Sequence, residues 1–137
     1  MIECLAIAIY LAIYFEAQGE PDMGQIAVGQ TVINRTYDRQ WPDNICDVVY
    51  QGPRDSHGNM VKHKCQFSFY CDGLPDRPSP GAAWEAARHN ALMAETLHRV
   101  GVDVTDGATH YHADYVAPGW ADRLTRLFKI GRHIFYR

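Results

Sequence analysis

The stretch CLAIAIYLAIYFEAQGEP, residues 4–21, decides how the chain is read. Its first twelve residues carry no charge, and AIY recurs at Ala8 and Ala12, which puts Ile9 one helical turn from Ile13 and Tyr10 one turn from Tyr14. That periodicity predicts a buried helix. The run is shorter than the roughly 20 residues a membrane span needs. Nothing basic precedes it and no small-residue cleavage site follows, so neither an anchor nor an export signal is expected. The run then ends on Glu16, Gly19, Glu20 and Pro21.

Those carboxylates raise the question of chemistry. Burial disfavours a charged carboxylate and lifts its pKa toward neutrality, the condition of a general acid. Glu16 follows Tyr14 and Phe15 and has no adjacent Lys or Arg. It is either such an acid or a glutamate on a solvated last turn. Glu20 lies four residues on, where a continuous helix would place both carboxylates on one face as acid and nucleophile. Gly19 and Pro21 argue that the helix has already broken, so Glu20 is expected to bind backbone amides at the start of the next helix.

Length and composition bound the rest. The 137 residues suit one domain, and 47% hydrophobic with 21% charged residues is ordinary for a folded globule. A net charge of -3 with dispersed Lys and Arg gives no footprint for nucleic acid. A monomer without membrane insertion is expected. Cys4 reads as a core thiol. Cys46, Cys65 and Cys71 surround a loop-rich middle, where one disulfide among the three would leave a cysteine unpaired.

Further along, Asp22 with Gln25 reads as a capping box, opening a helix whose stripe is Ile26, Ile33 and Tyr37, with Val28 and Val32 beside it. A short helix is expected over 44–51, capped by Asp43 and stopped by Gly52. Residues 52–80 read as a long excursion, ordered around CQFSFYC by Phe67, Phe69 and Tyr70. Ser79 and Pro80 open the longest helix, marked by Trp84, Ala87, Ala91 and Ala94 and closed by Gly101. After the Asp106-Gly107 turn, ATHYHA alternates as a strand, with His110 and His112 on one face and Thr109 and Tyr111 on the other. RLFKIGRHIFYR predicts a final hairpin around Gly131. The fold class is therefore α+β, mainly helical.

Other polar groups compete for a role. His110 and His112, with Cys65, Cys71, His57 and His63, could hold a zinc ion, although no spacing matches a standard ligand pair. Gln66, Ser68 and Asn34 are short polar groups in apolar or aromatic surroundings, suited to orienting a polar ligand or to fixing a loop. Ser68 lacks the G-x-S-x-G setting of a nucleophile. Trp41, Trp84 and Trp120 could stack on sugar rings, Trp84 reading rather as core from its helical spacing.

YFEAQGEPDMGQIAVGQTVINR, CQFSFYCDG, GATHYHADYVAPGWA and KIGRHIFYR occur in the order and spacing of the SleB/CwlJ-type cell wall hydrolases, the spore-cortex-lytic enzyme family, which the chain resembles over essentially its whole length. The resemblance implies a lysozyme-like, lytic-transglycosylase-like fold and the glycan strands of peptidoglycan as substrate. No cofactor and no metal are expected. The resemblance also implies that Glu16 is the catalytic acid, that Glu20 is the family's second glutamate, and that Gln66, Ser68, Thr109, Tyr111 and His112 line a substrate groove. Gln18 stands where the family usually has arginine. The expected reaction is cleavage between N-acetylmuramic acid and N-acetylglucosamine with closure of a 1,6-anhydro ring. A water-using muramidase, a zinc-dependent wall amidase and a silent glycan-binding module are its competitors. Synthesis in the cytoplasm and action at the bacterial wall, as in a phage lysin or an excised catalytic domain, are the expectation for location.

Overall fold

A computed structural model describes the backbone of residues 2–137 and the side chains of residues 7–137. Four helices, α1 (Ile2–Ala17), α2 (Asp22–Arg35), α3 (Ile45–Val49) and α4 (Ala82–Arg99), pack beside a small sheet of β1 (His110–Ala113), β2 (Arg126–Ile130) and β3 (His133–Tyr136). This is the mainly helical α+β class expected. The sheet order is β1-β3-β2, antiparallel throughout, so β1 is an edge strand registered on β3 with Tyr111 opposite Phe135 and His112 opposite Ile134. Among the described residues no helix is long and apolar enough to cross a membrane.

α1 behaves as its sequence dictates: Ile9, Ala12 and Ile13 are fully buried, and Tyr10 and Tyr14 meet Trp84 of α4 edge-on. Trp84 is thus packed against the core, as its spacing implied. The helix stops at Ala17, and Gly19 takes a left-handed φ of 84° that a side chain would resist. The reading of Cys4 lies outside the described side chains.

α2 is the central helix, buried on nearly every side. Gly29 makes that possible, since a Cβ there would stand 2.9 Å from Ala94 Cβ and 3.2 Å from Ile13 Cδ1. The capping box at its start is corrected: Pro21 is the N-cap and no side chain caps the helix. Buried Gln25 instead donates to the Ala17 carbonyl and accepts from Asn90 of α4, tying three helices together. Tyr37 lies beyond the helix and is exposed, stacked on His98, so it leaves the buried stripe.

α3 is shorter than expected, and Asn44 caps it in place of Asp43, accepting the Asp47 N–H at 2.9 Å. α4 begins at Ala82 after Gly81 rather than at Ser79 and Pro80. Its end is a Schellman turn: Gly101 N–H donates to the His98 carbonyl and Val102 N–H to that of Leu97. Between α3 and α4 the excursion is ordered, with Phe67 and Phe69 buried and Cys65 bonded to Cys71. Cys46 is also disulfide-bonded, which corrects the expectation of an unpaired cysteine among the three.

Candidate active site

Glu16 sits on the last turn of α1, half-buried, at a groove of about 400 Å³. Three other parts of the chain complete the walls: Arg35 from α2, Gln66, Phe67 and Ser68 from the disulfide-closed loop, and Tyr111, His112, Tyr115 and His133 from the sheet side. Local sequence explains each placement. Within CQFSFYC, Phe67 and Phe69 turn into the core, Phe69 stacking on Phe15 at 4.9 Å, and this leaves Gln66 and Ser68 facing outward. Because β1 is an edge strand, consecutive Tyr111, His112 and Ala113 all reach the groove.

Burial pushes Glu16 up to about 6, against the opposing pull of Arg35 and of a backbone hydrogen bond from Ser68. Glu16 is the only carboxylate among the described residues of the groove. Tyr111 is held well above its ordinary value, first by burial and then by the Glu16 charge, so its hydroxyl stays neutral. His112 is fully engaged, one ring nitrogen 2.7 Å from the Ala113 carbonyl and the other 2.8 Å from the Tyr136 hydroxyl.

Glu20 does not brace the start of α2. It accepts the Arg132 N–H at 3.0 Å, in the turn between β2 and β3, and lies 3.5 Å from His133 Nδ1. The other spare carboxylates are occupied as well. Asp114 pairs with Lys129 at 3.0 Å and Arg132 at 3.1 Å, and Asp72 accepts the Leu74 N–H at 2.8 Å. Neither lines the groove.

Thr109 is not on the groove wall. Its carbonyl accepts Arg35 Nε at 2.7 Å, and its hydroxyl lies 3.0 Å from His110 Nδ1. Asn34 orients no ligand: its amide donates to Asp103, Thr105 and the Ala108 carbonyl, and its oxygen meets His98 Nε2 at 2.8 Å. Consecutive Asn34 and Arg35 thus clamp the approach to β1 onto α2. Gln18 is exposed and hydrogen-bonded to the Tyr14 hydroxyl, away from the groove walls. Cys65 and Cys71, offered as metal ligands, are joined to each other, and His57 and His63 are exposed on the loop. Trp41 lies under the Arg35 guanidinium, and Trp120 packs on His110, His112 and Tyr136.

Arg35, Tyr115 and His133 are the groove residues with polar or charged groups that sequence reasoning missed. Arg35 had a signal: it falls at helical spacing from Val28 and Val32, a lone cation on a buried stripe. Tyr115 and His133 had none, because their positions depend on how β1 and β3 pair.

The cell wall hydrolase profile matches residues 19–136, a span that begins just after Glu16. A spore cortex-lytic enzyme of Halalkalibacterium halodurans is 32% identical over 129 residues, 90% of this chain and 32% of that protein. One from Oceanobacillus iheyensis is 29% identical over 90% of this chain and 38% of its own length. The chain therefore spans about a third of the curated relatives it matches. The catalytic domain of the germination-specific lytic transglycosylase SleB from Bacillus anthracis superposes with a TM-score of 0.75 at 27% identity, covering 98% of this chain and 95% of that one. The SleB catalytic domain of Bacillus cereus gives 0.74, also at 27%, over 98% and 91%. With that profile across most of its length and the fold of these catalytic domains, the chain belongs to the cell wall hydrolase family.

Proposed function

We propose that this chain cleaves peptidoglycan glycan strands between N-acetylmuramic acid and N-acetylglucosamine as a lytic transglycosylase, with Glu16 as acid and then base. The observation that carries the reading is Glu16 as the solitary carboxyl among the described residues of the groove, which burial keeps protonated up to a pH of about 6. Glu16 gives its proton to the glycosidic oxygen as the C1–oxygen bond breaks, leaving an oxocarbenium-like centre. The carboxylate so formed takes the proton of the sugar's own C6 hydroxyl while that oxygen bonds to C1. One carboxyl serves both transfers.

A hydrolase that inverts or retains through a second carboxylate requires two acidic groups facing the bond. Glu20, Asp72 and Asp114 are held by other partners, which favours the anhydro route. The groove can orient a glycan through Gln66 and Ser68 and pack its rings against Phe15, Tyr111 and Tyr115. Similarity to a protein described as a lytic transglycosylase supports the same reading. Digestion of purified sacculi by wild type and by Glu16→Gln tests it: the variant is expected to release no muropeptides, and release at the wild-type rate would refute the assignment.

A further inference from the structure

Arg35 closes α2 with only 3% of its surface exposed. A guanidinium offers five N–H donors, yet among the described residues it makes one hydrogen bond, from Nε to the Thr109 carbonyl, and buried Nη1 has no partner. No carboxylate among the described residues lies within ion-pair distance of it. Packing holds it instead, with the Trp41 ring 4.0 Å and the Phe67 ring 5.5 Å from the guanidinium carbon. A buried charge without a counter-charge is costly, and here the cost falls in the wall of the groove that contains Glu16.

We propose that Arg35 is a positioning residue for Glu16: its unneutralised charge stabilises the carboxylate that Glu16 becomes once its proton has gone to the leaving oxygen. This rests on the reading of Glu16 as acid and then base. Between the two transfers Glu16 is an anion in a site whose burial disfavours anions. The Arg35 charge acts against that burial, so the proton can leave and the carboxylate can wait for the C6 hydroxyl.

The other titratable groups on the groove are Tyr111 and His112 of β1, Tyr115 just after it and His133 of β3. Tyr111 of β1 is neutral, and Tyr115 follows on an exposed loop. His112 has both ring nitrogens engaged. His133 of β3 faces Glu20, and burial holds it below its ordinary value. A purely structural Arg35 would only fasten β1 to α2 through Thr109, and the test must separate the two.

Carboxyl-carbon NMR of glutamate-labelled protein follows Glu16 directly, its signal assigned by disappearance in Glu16→Gln. In Arg35→Gln, which keeps an amide donor toward Thr109, Glu16 is expected to titrate about one pH unit higher than in wild type. The alkaline limb of the pH–rate profile moves with it. Arg35→Lys keeps the charge and leaves the titration near wild type. A folded Arg35→Gln with an unmoved Glu16 titration overturns the proposal. If that variant does not fold, wild type answers: the Arg35 side-chain nitrogen signal follows pH with a midpoint near 6 and is flat in Glu16→Gln, whereas a flat wild-type signal overturns it. The titration does not require turnover, so an active Glu16→Gln would defeat the proposed function while leaving this coupling standing.

Discussion

Glu20 and Arg132, far apart in sequence, meet across the edge of the molecule: the carboxylate accepts the Arg132 backbone N–H at 3.0 Å and 3.3 Å through its two oxygens. The turn is built to receive it. Gly131 has a φ of 55°, and a Cβ there would run into the Glu20 carboxylate and stand 2.9 Å from Pro21 Cδ. The chain segment just after Glu16 therefore holds the β2–β3 hairpin, whose β3 strand pairs with β1.

Removing that brace should cost stability and spare chemistry. Glu20→Ala leaves the Arg132 N–H without its acceptor and removes the carboxylate beside His133, and is expected to lower stability by about 1–3 kcal/mol, read by denaturant melts. Glu20→Gln, which still accepts, should cost less and keep most of the turnover. Loss of turnover in folded Glu20→Gln as complete as in Glu16→Gln would make Glu20 a catalytic group.

Glu16 links stability to pH in a defined direction. Its pKa is raised from an ordinary 4.5 to about 6, so folding favours its protonated form. The group costs nothing below pH 4.5 and progressively more as pH rises through 6. Above that, the cost reaches about 2 kcal/mol. Glu16→Gln should accordingly match wild type in melts at low pH and exceed it by about that much at neutral pH. Activity should fall over the same rise. A stability difference that does not change with pH would contradict the burial argument.

At Gly29, α2 packs against both α1 and α4. Gly29→Ala would push its methyl against Ala94 and Ile13, and overpacking of this kind costs about 1–3 kcal/mol. Thermal melts should show the loss, and an unchanged melting temperature would mean the helices are less tightly fitted than described.

The Cys65–Cys71 bridge closes the loop that carries Gln66 and Ser68. A ring this small constrains the unfolded chain by about 2 kcal/mol. The paired Cys65→Ala and Cys71→Ala variant should melt lower and bind glycan more weakly, because Ser68 is then held by Phe67 and Phe69 alone. Unaltered KM in that variant would show that aromatic packing suffices.

Much of this was legible beforehand wherever local chemistry decides. The uncharged run of α1, the alanine spacing of α4 and the glycine of the hairpin turn each specify their own element. What failed did so for a common reason. Gln25, Asn34 and Glu20 were read by their sequence neighbours, as cap, ligand group and helix brace, but their partners lie in α4, in the loop before β1 and in the hairpin. A buried polar side chain takes whatever partner the tertiary fold brings to it, and that partner is not written nearby. Arg35 was overlooked the same way, since its partner Thr109 and its neighbour Phe67 come from distant segments.

The central claim is that one protonated carboxyl, Glu16, breaks the glycosidic bond and lets the sugar close on itself. Mass spectrometry of muropeptides released from purified sacculi tests it most directly. The account predicts 1,6-anhydro ends from wild type and none from folded Glu16→Gln. Products that carry the mass of an added water, or anhydro ends from Glu16→Gln at the wild-type rate, would contradict it.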